Sequence, residues 1–209
     1  MIISHKYKFV WIHIPKCAGH WMRDLLLKID PDIDDYRRVA SKPSDKNHPI
    51  RCWHVSYSYF QNHHPLYEQI KDYTFFTFIR NPIDRAISEY NMILNTPQHI
   101  QYSSVSKISV YDFMQGRKTR NIQVEFVLDR NGVISPNIKI LSYEKIKDID
   151  FLEKFFRSLG VEDNENLKNI CSGSPIFVGT PSIKKSQLDY ERLKECWSPD
   201  VLWFYLYHS

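Results

Sequence analysis

The sequence predicts an α/β fold in which a short central parallel sheet is flanked by helices. Apolar, β-branched and aromatic runs at residues 9–14 (FVWIHI) and 73–79 (YTFFTFI) are each followed by a proline-bearing loop. Beyond the loops come residues at helical spacing: Trp21, Met22, Leu25, Leu26 and Ile29, then Ile83, Ile87, Tyr90, Asn91 and Leu94. A third short run, residues 138–141, leads into an amphipathic pattern from Glu144 to Leu159. Strand, loop and helix recurring in that order indicate parallel β-α units.

The elements follow in chain order. Pro15 stops the first strand, because it cannot donate to a ladder. Residues 31–49 are rich in Asp, Ser, Lys and Pro without periodicity and read as a mobile surface excursion. Asn81 is suited to cap the second helix and Pro82 to occupy its first position. Residues 121–128 read as helical, and Asp129-Arg-Asn-Gly132 as a turn. Residues 186–197 and 199–207 read as two closing helices, the second apolar enough to enter the core. No internal repeat is present.

A chain of 209 residues is expected to form one domain, 1–209. Apolar residues make up 43% and charged residues 25%, which excludes a disordered or fibrous chain. The net charge of +4 suits an anionic small molecule or an acidic glycan and does not call for nucleic acid. No stretch approaches the ~18 apolar residues of a membrane span. Cys17, Cys52, Cys171 and Cys196 form no CxxC pair, which points to reduced thiols and a cytoplasmic location. Oligomeric state is not readable.

Chemistry first appears at Pro15-Lys-Cys-Ala-Gly-His20. A loop between a parallel strand and a helix presents unpaired N–H groups and the positive end of the helix dipole, a natural seat for an anion. Gly19 permits close backbone approach, and Lys16 adds a full charge. The Walker order GxxxxGK[ST] is absent, since Lys precedes Gly. Taken alone the loop is equally a plain turn with an exposed lysine. Cys17 and Arg23 also have the spacing of a cysteine phosphatase loop, although Lys16 and Asp24 occupy positions where that pattern has His and Ser or Thr.

A second anion site is suggested by Arg80-Asn-Pro-Ile-Asp-Arg-Ala-Ile-Ser88, with Arg at a strand's carboxyl end and Ser on the following helix. Two anion sites imply a nucleotide phosphorylated at both ends. Together, IPKCAGHW and RNPIDRAISEY resemble the two motifs of the PAPS-dependent sulfotransferases, PKxxGT or PKxAGT and RxPxxRxxSxY. The resemblance implies a three-layer, P-loop-like version of the predicted fold. It implies that Lys16, Ala18, Gly19, His20 and Trp21 surround the 5′-phosphosulfate of PAPS, and that Arg80 and Ser88 bind its 3′-phosphate. Trp21 would stack on adenine or pack in the core, with stacking favoured because the family's cytosolic members also place Trp there; Arg85 is read as a solvated helix charge and Tyr90 as core. Leu141-Ser-Tyr-Glu144, Asn121-Ile-Gln123 and GTPSIKKS resemble further family segments, and Lys184 or Lys185 would close over the 3′-phosphate.

Sulfuryl transfer requires a base for the acceptor hydroxyl and a charge on the departing oxygen; an imidazole suits the first and Lys16 the second. Of nine histidines, His54 lies in CWHVSY, which resembles the HGHVSY stretch of uronyl 2-O-sulfotransferases. The resemblance to that carbohydrate-modifying branch makes His54 the expected general base and a sugar hydroxyl the expected acceptor, with other small-molecule hydroxyls open. Two departures stand out: His20 replaces the usual Thr or Ser, and Trp53 the Gly of the close relatives. His20 is therefore a second candidate for proton transfer. A zinc site from Cys52, His54, His63 and His64 lacks ligand spacing, so no metal is predicted.

Overall fold

The computed structural model describes residues 1–35, 54–116, 122–162, 166–173, 188–189 and 192. Among these residues β1 (Ile2–Ser4), β2 (Phe9–Trp11), β3 (Asp34–Asp35), β4 (Thr74–Ile79) and β5 (Ile138–Ser142) form one sheet in the order β3-β1-β2-β4-β5. β2, β4 and β5 are parallel, with Trp11 opposite Phe76 and Ile79 opposite Ser142. β1 pairs antiparallel with both β2 and β3. The α-helices among the described residues are α1 (Gly19–Ile29), α2 (Tyr57–His63), α3 (Tyr67–Ile70), α4 (Pro82–Leu94), α5 (Tyr102–Val105), α6 (Val110–Gly116), α7 (Ile149–Ser158) and α8 (Leu167–Cys171). The protein is thus an α/β fold with a mostly parallel sheet and flanking helices.

The chain divides into two compact units, Met1–Ile79 with Glu125–Pro175, and Arg80–Val124 with Ile176–Ser209. The first contains the sheet. Its core is aromatic: Phe9, Trp11, Tyr57, Phe60, Phe75, Phe76, Phe78 and Phe156 are fully enclosed. Phe76 meets Phe9 and Phe155 edge to face, at centroid distances of 5.7 and 5.1 Å, the arrangement that ring quadrupoles favour. The second unit has its own core, in which Ile83, Ile87, Tyr90 and Ile93 of α4 pack on Val105, Val110, Phe113 and Met114. That apolar stripe on α4 repeats at intervals of three and four residues, as burial of one helix face demands.

Both helices after the first two parallel strands arise where the sequence places them. Asn81 caps α4, its Oδ1 accepting from the N–H groups of Ile83 and Asp84 at 3.0 and 3.3 Å, and Pro82 opens the helix. Other expectations change. The start of the expected surface excursion instead contributes β3 to the sheet, and residues 36–49 lie outside the described residues. The helix expected over 121–128 is a 3-10 turn, Gln123–Phe126, leading to an antiparallel bridge between Leu128 and Ile134 around the expected turn. The pattern from Glu144 to Leu159 is broken: a 3-10 helix, Tyr143–Lys147, ends at Asp148, which caps α7 by accepting from Phe151 N–H at 3.0 Å. The two closing helices lie almost wholly outside the described residues.

If the aromatic core carries the first unit, Phe156→Ala should cost about 3–5 kcal/mol, whereas Asp148→Ala, a lost cap, should cost about 1 kcal/mol. Urea unfolding of the two variants checks the ranking; a reversed order would contradict it.

Candidate functional site

The approach to the loop is held beyond the end of β2. Ile12 N–H donates to Phe76 C=O at 2.9 Å, and the buried hydroxyl of Thr77 donates to Ile12 C=O at 2.8 Å. The chain then turns, with Cys17 N–H donating to Ile14 C=O at 3.3 Å. Lys16 and Ala18 both have left-handed backbone, at φ 67° and 58°. Such residues cost roughly 1–3 kcal/mol each when they are not glycine and persist where a site requires them. Alternation of hand is a backbone pattern of anion-binding loops, although the Cys17 N–H is taken here by Ile14 C=O. Ala18 is also the N-cap residue of α1, a helix of 11 residues with no acidic residue in its first turn. The leading N–H groups of α1, which have no carbonyl four residues back, add to the same positive end.

Gly19 is required for a steric reason. A Cβ at this position would lie 1.7 Å from Nε2 of His13. The His13 imidazole occupies that space because it is stacked on Trp11, with centroids 4.8 Å apart and planes at 21°. Its other neighbour is His54, whose ring lies 4.4 Å away, tilted by 58°. Nδ1 of His54 is 3.1 Å from the backbone oxygen of His13. A carbonyl can only accept, so Nδ1 carries the hydrogen in this bond, and in the neutral ring the lone pair sits on Nε2. His54 is therefore tied to the strand that delivers the loop, with its other nitrogen in the form that takes up a proton. His13 was absent from the sequence-derived candidates; its place two residues after Trp11 in the apolar run 9–14, where extended alternation puts both on one side, was the available signal.

Within the loop, Lys16, Ala18 and Gly19 are half-buried and His20 is exposed. Trp21 is different: its ring is buried, and its indole N–H donates to Gly173 C=O at 2.9 Å. The indole thus packs within the first unit, the alternative to stacking on adenine. Cys17 is only 2% exposed, so its sulfur faces core side chains. Arg23 sits in α1 with its guanidinium 3.3 Å from Asp24. A thiolate phosphatase loop needs an accessible sulfur, and this placement does not provide one.

In the second unit, Arg80 directly follows β4 and is half-buried. Its N–H donates to Oε1 of Gln123 at 2.8 Å, and its C=O accepts from Nε2 of the same side chain at 2.9 Å. Ser88 lies about two turns into α4, half-buried. Arg85, expected to be solvated, is buried at 5% exposure. Tyr90 is core, as expected, and donates to Ile108 C=O at 2.7 Å. Burial, and after it the negative charge of Asp112, pushes the Tyr90 phenol above its ordinary value, so it remains a neutral donor. In the first unit, after β5, the Ser142 hydroxyl donates to the Glu144 carboxylate and its oxygen also accepts from Glu144 N–H at 3.3 Å. Lys184, Lys185, Cys52 and Trp53 lie outside the described residues. Among the described residues no group of three or more His, Cys, Asp or Glu side chains could hold a metal. No described helix is long and apolar enough to cross a membrane.

A mostly parallel sheet with a strand, loop and helix that could seat an anion is the setting of the site. Residues 1–154 match the family model of the Sulfotransferase family. The match covers well over half of the 209 residues, and the chain belongs to that family. No curated protein and no solved structure matches the chain significantly.

The contact over Gly19 yields a prediction. Gly19→Ala should destabilise the protein by displacing the His13 ring, and His13→Ala should relieve the clash, giving a coupling of about 1–3 kcal/mol in a double-mutant cycle. Strict additivity of the melting data would contradict the contact.

Proposed function

We propose that this sulfotransferase moves a sulfuryl group from PAPS to an acceptor hydroxyl, with His54 as general base and Lys16 on the departing oxygen. The observation that carries the reading is the bond from His54 Nδ1–H to the carbonyl of His13, which leaves the lone pair of the neutral ring on Nε2. The loop itself supports an anionic donor through left-handed Lys16 and Ala18, the enforced Gly19 and the N-terminus of α1. In this reading Lys16 and the backbone of Ala18, Gly19, His20 and Trp21 hold the 5′-phosphosulfate. Arg80 and Ser88 take the 3′-phosphate, with Lys184 or Lys185 closing over it. The 209 residues act as one sulfotransferase domain.

PAPS supplies an electrophilic sulfur joined to a good leaving group. His54 takes the acceptor's proton as the hydroxyl oxygen forms its bond to sulfur. The bond from sulfur to the bridging oxygen breaks, and Lys16 neutralises the charge left there, giving a sulfate ester and adenosine 3′,5′-bisphosphate. His20, exposed at the start of α1, is the alternative proton carrier. The CWHVSY context of His54 supports a carbohydrate hydroxyl as acceptor.

At a hundredfold excess over its Kd, the bisphosphate should stabilise the protein by about 2.7 kcal/mol. Lys16→Ala should remove most of that gain. His54→Ala should retain binding but lower transfer of labelled sulfate to a mixed pool of glycan, phenol and alcohol acceptors by about 10²–10⁴-fold. Binding without transfer to any acceptor would instead define a nucleotide-binding module, and no stabilisation by the bisphosphate would overturn the reading.

A further inference from the structure

Gln123 is wholly buried, and its amide spans the backbone of a single residue, accepting from Arg80 N–H at 2.8 Å and donating to Arg80 C=O at 2.9 Å. The ladder between β4 and β5 ends with Ile79 opposite Ser142. One residue later, Gln123 supplies the donor and acceptor that a neighbouring strand would otherwise provide. On the other side of Arg80, Asn81 is fixed by its own two capping bonds at the start of α4. Both peptide groups flanking the Arg80 Cα are therefore constrained, and with them the direction in which its side chain leaves the backbone.

We propose that Gln123 is a positioning residue: by clamping Arg80 it sets recognition of the donor's 3′-phosphate, and hence the preference for a nucleotide phosphorylated at both ends. The proposal rests on the nucleotide reading above. A guanidinium launched from a fixed backbone loses less freedom when it meets a phosphate, so the clamp acts on affinity for that group and not on the 5′ end. Glutamine is specifically suited. Glutamate would accept from the N–H but offer no donor to the carbonyl, asparagine is one methylene short, and leucine fills the space with no bond at all.

The test compares adenosine 3′,5′-bisphosphate with adenosine 5′-monophosphate by calorimetry on the full chain, in wild type, Gln123→Leu and Gln123→Glu, with the unliganded melting temperature recorded for each. Wild type should prefer the bisphosphate. Gln123→Leu should weaken bisphosphate binding by about tenfold to a hundredfold while leaving monophosphate binding within about twofold. Gln123→Glu, which keeps one bond of the clamp, should fall between and carries the same comparison if the leucine variant does not fold. Equal weakening of both nucleotides, or an unchanged preference, would overturn the positioning role alone. A wild-type protein with no preference for the bisphosphate would overturn it together with the nucleotide reading.

Discussion

The His13 imidazole fills the space into which a side chain at position 19 would project, and the described part of the site in the first unit depends on that one contact. Stacking on Trp11 keeps the ring there. With the ring in place, glycine follows left-handed Ala18 and begins α1 without a clash, where any side chain would have to displace the ring. The same residue's carbonyl receives His54. A single residue just beyond β2 thus couples the shape of the loop to the orientation and tautomer of the residue proposed to act as base.

The second unit solves a different problem. Arg80, proposed to bind phosphate, follows β4 just where strand pairing stops, and an unpaired backbone there would be costly if buried. The Gln123 amide meets that cost at Arg80 itself, and Asn81 does so for the first N–H groups of α4. Burial of Arg85 one turn along α4 adds a charged group enclosed within the unit. The RxPxxRxxSxY segment therefore combines residues suited to touch a ligand with residues whose work is structural: Asn81 caps, Pro82 starts the helix, and Tyr90 fills the core.

Much of this was legible in the sequence, and the reason differs by element. The parallel strands declared themselves because strands covered on both faces are continuous apolar runs, and α4 because Asn-Pro is a strong start signal. β1 and β3 were not legible. The first is three residues long beside the polar HKYK segment, and the second is an aspartate pair with low strand propensity that exists through its backbone pairing to β1. The break at Asp148 was hidden because the apolar positions on both sides kept helical spacing. In the site, Lys16, Gly19, Arg80 and His54 could be singled out by residue type in context. His13 could not, since it acts through a glycine six residues away, and Gln123 stood in a segment resembling the family's without showing its work, which is done on the backbone of a residue forty-three away. Trp21 and Arg85 reversed their expected settings because burial is decided by partners distant in the chain, as Gly173 is for Trp21.

The central claim is that the His13 carbonyl holds His54 in the tautomer required of a base at the sulfuryl-transfer site. Long-range proton–nitrogen NMR of the imidazole resonances, assigned with His54→Ala and recorded before and after addition of adenosine 3′,5′-bisphosphate, tests it directly. The account predicts hydrogen on Nδ1, an unprotonated Nε2 above the ring's titration range, and a shift of the His54 signals when the nucleotide binds. Hydrogen on Nε2, or His54 signals unmoved by bound nucleotide, would contradict it.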